Sequence, residues 1–195
     1  MPTRHSGPER MGAFSDGVIA VVITIMVLEL KPPLSPSLMA LGPLWPTGIS
    51  YALSYLFIAI IWVNHHHLLR FVKHASPSLL WLNFAHLFPV SLLPFATAWM
   101  AGSRLASAPV AVYAAIFVWV NLAYLAFEQE VIRQADADQF PAMAKRTARR
   151  RSLATVLVFA TAILVATVLP WLAFLLICAA LLLYLRPEVP GSHWS

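Results

Sequence analysis

The sequence predicts an all-α integral membrane protein with six transmembrane helices, and three observations predict it. Hydrophobic residues make up 60% of the 195 and charged residues only 11%, where a soluble domain carries about 45–50% and about 25%. Mean hydropathy is +0.76. The apolar residues fall into runs long enough to cross a bilayer, divided by Pro-, Gly- or charge-bearing breaks. A soluble fold of this length cannot hide so much apolar surface, so lipid is the solvent for most of the chain.

The first run spans 13–30 and stops at Lys31-Pro32-Pro33. Asp16 interrupts what would be a signal-peptide core, and no small-residue cleavage site precedes the stop, so this run reads as a retained helix. A loop with Pro36, Gly42, Pro43 and Pro46 leads to the second run, 49–69. The third, 79–99, is interrupted by Pro89 and Pro94, and the fourth covers 109–127. The stretch 153–185 would make a helix roughly 50 Å long, too long for a hydrocarbon core of about 30 Å. Pro170 divides it into 153–169 and 171–185, a hairpin with arginines at both ends. One domain, 1–187, results, with a short cytoplasmic tail at 188–195.

Lysine and arginine set the orientation. With the N-terminus inside, 11 of the 13 basic residues lie on the cytoplasmic side and only Lys31 and Arg104 outside, which fixes both termini as cytoplasmic. The net charge of +5 is therefore a topology signal, and no nucleic-acid partner is expected. Lys145–Arg151, in the loop after the fourth helix, reads as an anchor meeting anionic lipid of the bilayer. Cys178 stands alone, so an intrachain disulfide and a thiolate metal cluster are both excluded.

Chemistry concentrates at the cytoplasmic ends of the first three helices. Asp16 lies about one turn inside the bilayer, where an unpaired carboxylate is costly. The topology puts His65, His66, His67 and Asn64 at the same depth, together with Asn83 and His86, three apart on one helix face. A polar network of Ser15, Asp16, His65, His66, Asn83 and His86, with Arg10 at its edge, is the expectation. Such a network either locks helices together or takes a direct part in transport. Successive histidines step by about 100° around a helix and cannot all face one ion, so no metal is expected, and no cofactor or catalytic residue either. Roughly opposite Asp16, the residues Gly17, Val21, Thr24 and Leu28, with Ile25 alongside, form a narrow apolar stripe carrying one hydroxyl. Spacing alone leaves that stripe open as lipid-facing surface, packing surface or pore lining.

A resemblance bears on the choice. Arg10-x-x-x-Phe14-Ser15-Asp16, then Gly17-Val18 and the run to Thr24, resembles the signature of the transmembrane protein 175 family, potassium channels of lysosomes and their bacterial relatives. It continues through Trp62-x-x-His65-His66, Leu79-Leu80-Trp81-Leu82-Asn83, Leu93-Pro94-Phe95 and Tyr113-Ala114, in order along the first 125 residues.

The resemblance implies a six-helix subunit that assembles as a homotetramer in the cell membrane, the inner membrane in a bacterium. Its first helices would surround a pore with potassium as the permeant ion. Val21 would stand at the apolar bottleneck, with Thr24 and Leu28 as the next layers. Arg10, Phe14, Ser15 and Asp16 would hold the first helix against the second and third. Val21 departs from the larger isoleucine or leucine of that pattern, which implies a wider constriction. The chain has no Thr-Val-Gly-Tyr-Gly filter, so a carbonyl cage is not its means of selection. The alternative is a proton- or solute-coupled transporter built on the Asp/His layer, and an enzyme is not expected.

Overall fold

A computed structural model describes residues 7–135 and 142–184. The expected tail 188–195, and Arg4, Pro141 and Arg186, lie outside the described residues. Helix α1 covers Gly7–Leu28 and ends ahead of the Lys31-Pro32-Pro33 stop, where neither proline can donate to a continuing ladder. A 3₁₀ turn, Leu38–Leu44, is capped by Ser37 and runs straight into α2, Trp45–Leu69, with Pro46 in its first turn. Helix α3, Pro77–Ser91, starts on Ser76, whose Oγ accepts from the Leu79 N–H at 3.2 Å.

The third expected span is two helices: α3 is followed by α4, Leu93–Gly102, with the break at Leu92. Pro94 has no N–H to offer the Val90 carbonyl, and the Leu92 N–H turns back to Pro89 and Val90 instead. Arg104 and Leu105 then take left-handed conformations, φ 52° and 64°. Ser103 Oγ accepts from the Ala106 N–H at 3.3 Å and the Leu105 side chain is fully buried, which holds this strained turn closed. Helix α5, Ser107–Gln134, runs well past the expected 127. Its end is tied down by the Arg133–Glu130 ion pair at 2.7 Å and by Gln134, which donates to Ser76 Oγ at 3.1 Å. The hairpin consists of α6, Ala142–Ala166, and α7, Pro170–Tyr184.

The architecture is all-α. Among the described residues four stretches are long and apolar enough to cross a membrane: Gly7–Leu28, Leu38–Leu69, Pro77–Gly102 and Ser107–Gln134, with a shorter apolar helix at Pro170–Leu181. Helix α5 is the central post, packed against α3, α4, α6 and α7. Helix α1 packs on α2, α3 and α4 and lies away from the α6–α7 hairpin. Phe57, Phe117 and Phe159 join α2, α5 and α6, with ring centroids 4.5–5.8 Å apart. Since lipid tails are as apolar as these side chains, close packing and internal hydrogen bonds, not exclusion from water, hold the bundle together.

Candidate pore-lining face and its polar anchor

Helix α1 has two sharply different faces. Met11, Ser15, Ile19, Val22 and Met26 are buried against the rest of the chain and occupy roughly 80° of the helical circumference. Gly17, Val21, Thr24 and Leu28 are exposed and fall within roughly 60°, almost diametrically opposite. Val21 is 56% exposed, Leu28 66% and Ile25, at the edge of the stripe, 43%. Among the described residues no element covers this face. Thr24 Oγ1 donates to the Ala20 carbonyl at 2.9 Å. Its single proton is thereby committed to the helix, and its lone pairs are left on the exposed side, where they can face a cation.

The opposite face is held by a chain of hydrogen bonds. Ser15 Oγ donates to the Met11 carbonyl at 2.9 Å and accepts from Asn83 Nδ2 at 3.0 Å. Asn83 Oδ1 then accepts from His65 Nε2–H at 2.7 Å, so His65 carries its proton on Nε2. The His65 ring stacks on Phe127 (5.3 Å, 8°) and on His86 (5.7 Å, 7°). His86 Nδ1–H reaches the Val120 carbonyl at 3.3 Å. Ser15, Asn83, His65 and His86 are all fully or almost fully buried. One serine of α1 is thus linked to α2, α3 and α5 within two side chains.

Asp16 belongs to a separate arrangement. Its Oδ1 accepts from Trp62 Nε1–H at 2.7 Å, and His66 stacks on that indole at 5.2 Å. The carboxylate anticipated beside the histidines therefore pairs with a tryptophan of α2, and the expected layer divides into two, Ser15–Asn83–His65–His86 and Asp16–Trp62–His66. Phe14 is half exposed and meets Phe84 of α3 edge-on at 5.4 Å. Arg10 is exposed and joins no hydrogen bond or ion pair among the described residues, so it stands outside both arrangements. No three His, Cys, Asp or Glu side chains come together among the described residues.

Sequence reasoning passed over a third cluster. Ser54 Oγ lies 2.8 Å from both Thr97 Oγ1 and Tyr113 Oη, and Thr97 donates on to the Leu93 carbonyl at 2.7 Å. This hydroxyl knot joins α2, α4 and α5 beside the helix break. Two hydroxyls and a tyrosine in three separate apolar runs were its only signal.

With that geometry in place, the comparisons with known proteins acquire a meaning. The family model described as the endosomal/lysosomal potassium channel TMEM175 matches residues 10–94. A Chryseobacterium protein named as a potassium channel is 45% identical over 124 residues, covering 64% of this chain and 65% of that protein. One from Streptomyces collinus, also named as a potassium channel, is 37% identical over 60% of this chain and 61% of its own. Matched stretches thus span somewhat less than two thirds of these relatives. The mouse endosomal/lysosomal proton channel TMEM175 is 34% identical over 100 residues, 45% of this chain and 20% of that one. Among solved structures, that of a lysosomal potassium-selective channel TMEM175 homolog from Chamaesiphon minutus superposes with a TM-score of 0.70. It is 25% identical and covers 91% of this chain and 96% of that one.

Proposed function

We propose that this chain, a member of the transmembrane protein 175 family through residues 10–94, is the subunit of a potassium-preferring cation channel. In this reading four copies assemble with α1 innermost and the exposed Gly17–Val21–Thr24–Leu28 stripe lines the pore. Each subunit crosses the membrane six times with both termini cytoplasmic, and the inner membrane of a bacterium is its setting. The single observation that carries the reading is the stripe itself. It is the α1 face farthest from the protomer's own core, it is one helix wide, and it presents hydroxyl oxygens between apolar rings.

The chemistry follows from those layers. A ring of Val21 side chains makes a water-poor constriction that gates conduction by dewetting. The Thr24 ring above it offers oxygen lone pairs, a fitting partner for a partly dehydrated monovalent cation, and repels anions. No carbonyl cage is available, so discrimination between potassium and sodium rests on this ring and on the width left by valine. The polar anchors favour a passive channel over the coupled transporter: Asn83 and Asp16 spend their strongest hydrogen bonds on Ser15, His65 and Trp62, which immobilises α1 rather than offering a solute cavity.

The test is a reversal potential measured with reconstituted protein under a potassium/sodium gradient. A shift toward the potassium equilibrium potential is expected. Single-channel steps that respond to Val21→Asn, with larger conductance as the constriction wets, would tie that current to the stripe. Saturable, coupled flux with no unitary steps would overturn the channel reading.

A further inference from the structure

Just past the C-terminal end of α1 stands a carboxylate without a counter-charge. Glu29 is exposed, and its side chain joins no ion pair or hydrogen bond among the described residues. Its N–H closes the last turn on the Ile25 carbonyl at 3.3 Å. This end of a helix is already the negative pole of the peptide dipoles, so a carboxylate added there deepens the attraction for a cation. Lys31, the nearest basic residue in sequence, reaches the Leu28 carbonyl at 3.3 Å and lines a different groove, with Pro33, Leu41 and Trp45.

Glu29 borders two spaces. One, shared with Thr47, Tyr51 and Thr97, is about 20 Å³ and has room for no more than a water. The other is a groove of about 570 Å³ between α1 and α4, walled by Ile25, Pro94, Phe95 and Trp99, with Ser91 at the end of α3. A volume of that size suits a small organic molecule. The Phe95 and Trp99 rings lie with centroids 5.8 Å apart, tilted by 36°, and are 62% and 41% exposed. Ser91 gives its hydroxyl proton to the Phe88 carbonyl at 2.7 Å, so its oxygen is left as an acceptor. The groove thus offers one negative charge, one hydroxyl oxygen and two aromatic rings on an otherwise apolar wall. Among the described residues no basic side chain lines it.

We propose that this groove binds an organic ammonium ion, its charged nitrogen beside Glu29 and its apolar body against Phe95 and Trp99. Other occupants fail on the chemistry of the lining. An anion would meet the carboxylate with no cation to offset it. A calcium or magnesium ion wants a shell of about six oxygens or more, and the side chains here supply a carboxylate and a hydroxyl. A neutral apolar molecule would strip water from Glu29 and give it no partner. An ammonium ion with alkyl or aryl substituents satisfies both halves of the groove. Its charge pairs with the carboxylate, and an aromatic face attracts a cation within about 6 Å of the ring centre. The ammonium head of a phospholipid carries the same charge but brings a phosphate beside Glu29, where no Lys or Arg lines the groove to receive it. A free organic cation is therefore the occupant. The walls all come from one chain, so this assignment is independent of the pore reading.

Equilibrium dialysis of radiolabelled benzyltrimethylammonium against the purified full chain in a neutral maltoside detergent is the test. Saturable binding is expected, displaced by unlabelled probe and not by neopentylbenzene, which has the same shape without the charge. Glu29→Gln should weaken binding about tenfold and Trp99→Ala several-fold, the scale of a charge contact and a cation–π contact in a partly dry groove. Lys31→Gln, in the other groove, should not weaken it. Equal displacement by neopentylbenzene, or binding at full strength by Glu29→Gln, would overturn the proposal, as would the absence of saturable binding to the unaltered chain. The neopentylbenzene comparison needs no substitution, so a poorly folding variant does not decide the matter. Nanodiscs of phosphatidylglycerol, with and without phosphatidylethanolamine, separate the two sources of an ammonium group. Undiminished probe binding in both supports a free cation. Loss of binding when the ethanolamine lipid is present makes the occupant a lipid head group, and the free-cation assignment falls.

Discussion

Ser15 has a single hydroxyl proton, and it goes to the Met11 carbonyl, so the oxygen is free to accept from Asn83. Removing the hydroxyl in Ser15→Ala leaves an Asn83 N–H without its acceptor. That change should cost about 1 kcal/mol, the usual scale for an interhelical hydrogen bond in a membrane protein, read as a lower melting temperature in detergent. Asn83→Leu removes both halves of the relay and strands the His65 N–H in a buried site. It should cost more than Ser15→Ala, about 1–3 kcal/mol. At Asp16 the decisive group is the Trp62 N–H. Trp62→Phe should destabilise the protein and reduce current, whereas Asp16→Asn keeps an acceptor for the indole and should be milder. Equal damage from both would mean that the negative charge, rather than the hydrogen bond, matters. The sequence announced Ser15, Asp16, His65 and Asn83 as one layer, because depth in the bilayer can be counted along a helix. It did not announce which partner each takes. One residue step turns a helix by about 100°, so Ser15 and Asp16 share a depth yet look toward different neighbours.

At the scale of the element, α1 is what residue periodicity makes legible and α3–α4 is what it leaves undecided. The stripe on α1 follows from a 3.6-residue period, and the same arithmetic that places it opposite Met11, Ile19 and Met26 needs no coordinates. In the proposed pore, Val21→Ile should narrow the constriction and lower unitary conductance several-fold, while Met26→Leu on the buried face should leave conductance near its starting value. Comparable effects from the two would contradict the division of faces. The break at Leu92 was foreshadowed by Pro89 and Pro94 only as an interruption, since a proline can bend a membrane helix or end it, depending on what its neighbours satisfy. The Leu92 N–H turned toward Pro89 and Val90, and the hydroxyl knot of Ser54, Thr97 and Tyr113 close by, make it an end. Ser54→Ala should loosen α4 against α2 and α5, seen as faster amide exchange over residues 93–102.

For the whole molecule, composition and the charges at the ends of apolar runs led to the fold class, because bilayer thickness and backbone hydrogen bonding leave a chain few ways to live in lipid. The way the helices sort into an inner and an outer group was not legible, since lipid-facing and protein-facing apolar residues look alike in a sequence. Helix α1 leans on α2, α3 and α4, whereas among the described residues α6 packs on α5 and α7, and α7 packs on α5, α6 and α2. The recognisable family pattern, residues 10–94, coincides with that inner group as far as the start of α4. A wall that stands behind the proposed conducting tier is free to change its bricks so long as it keeps its thickness. Under the proposed pore reading, exchanging one apolar side chain for another at exposed positions of α6 and α7, such as Leu157 and Leu175, should therefore leave the current–voltage curve untouched, while the same exchange at Val21 should change it.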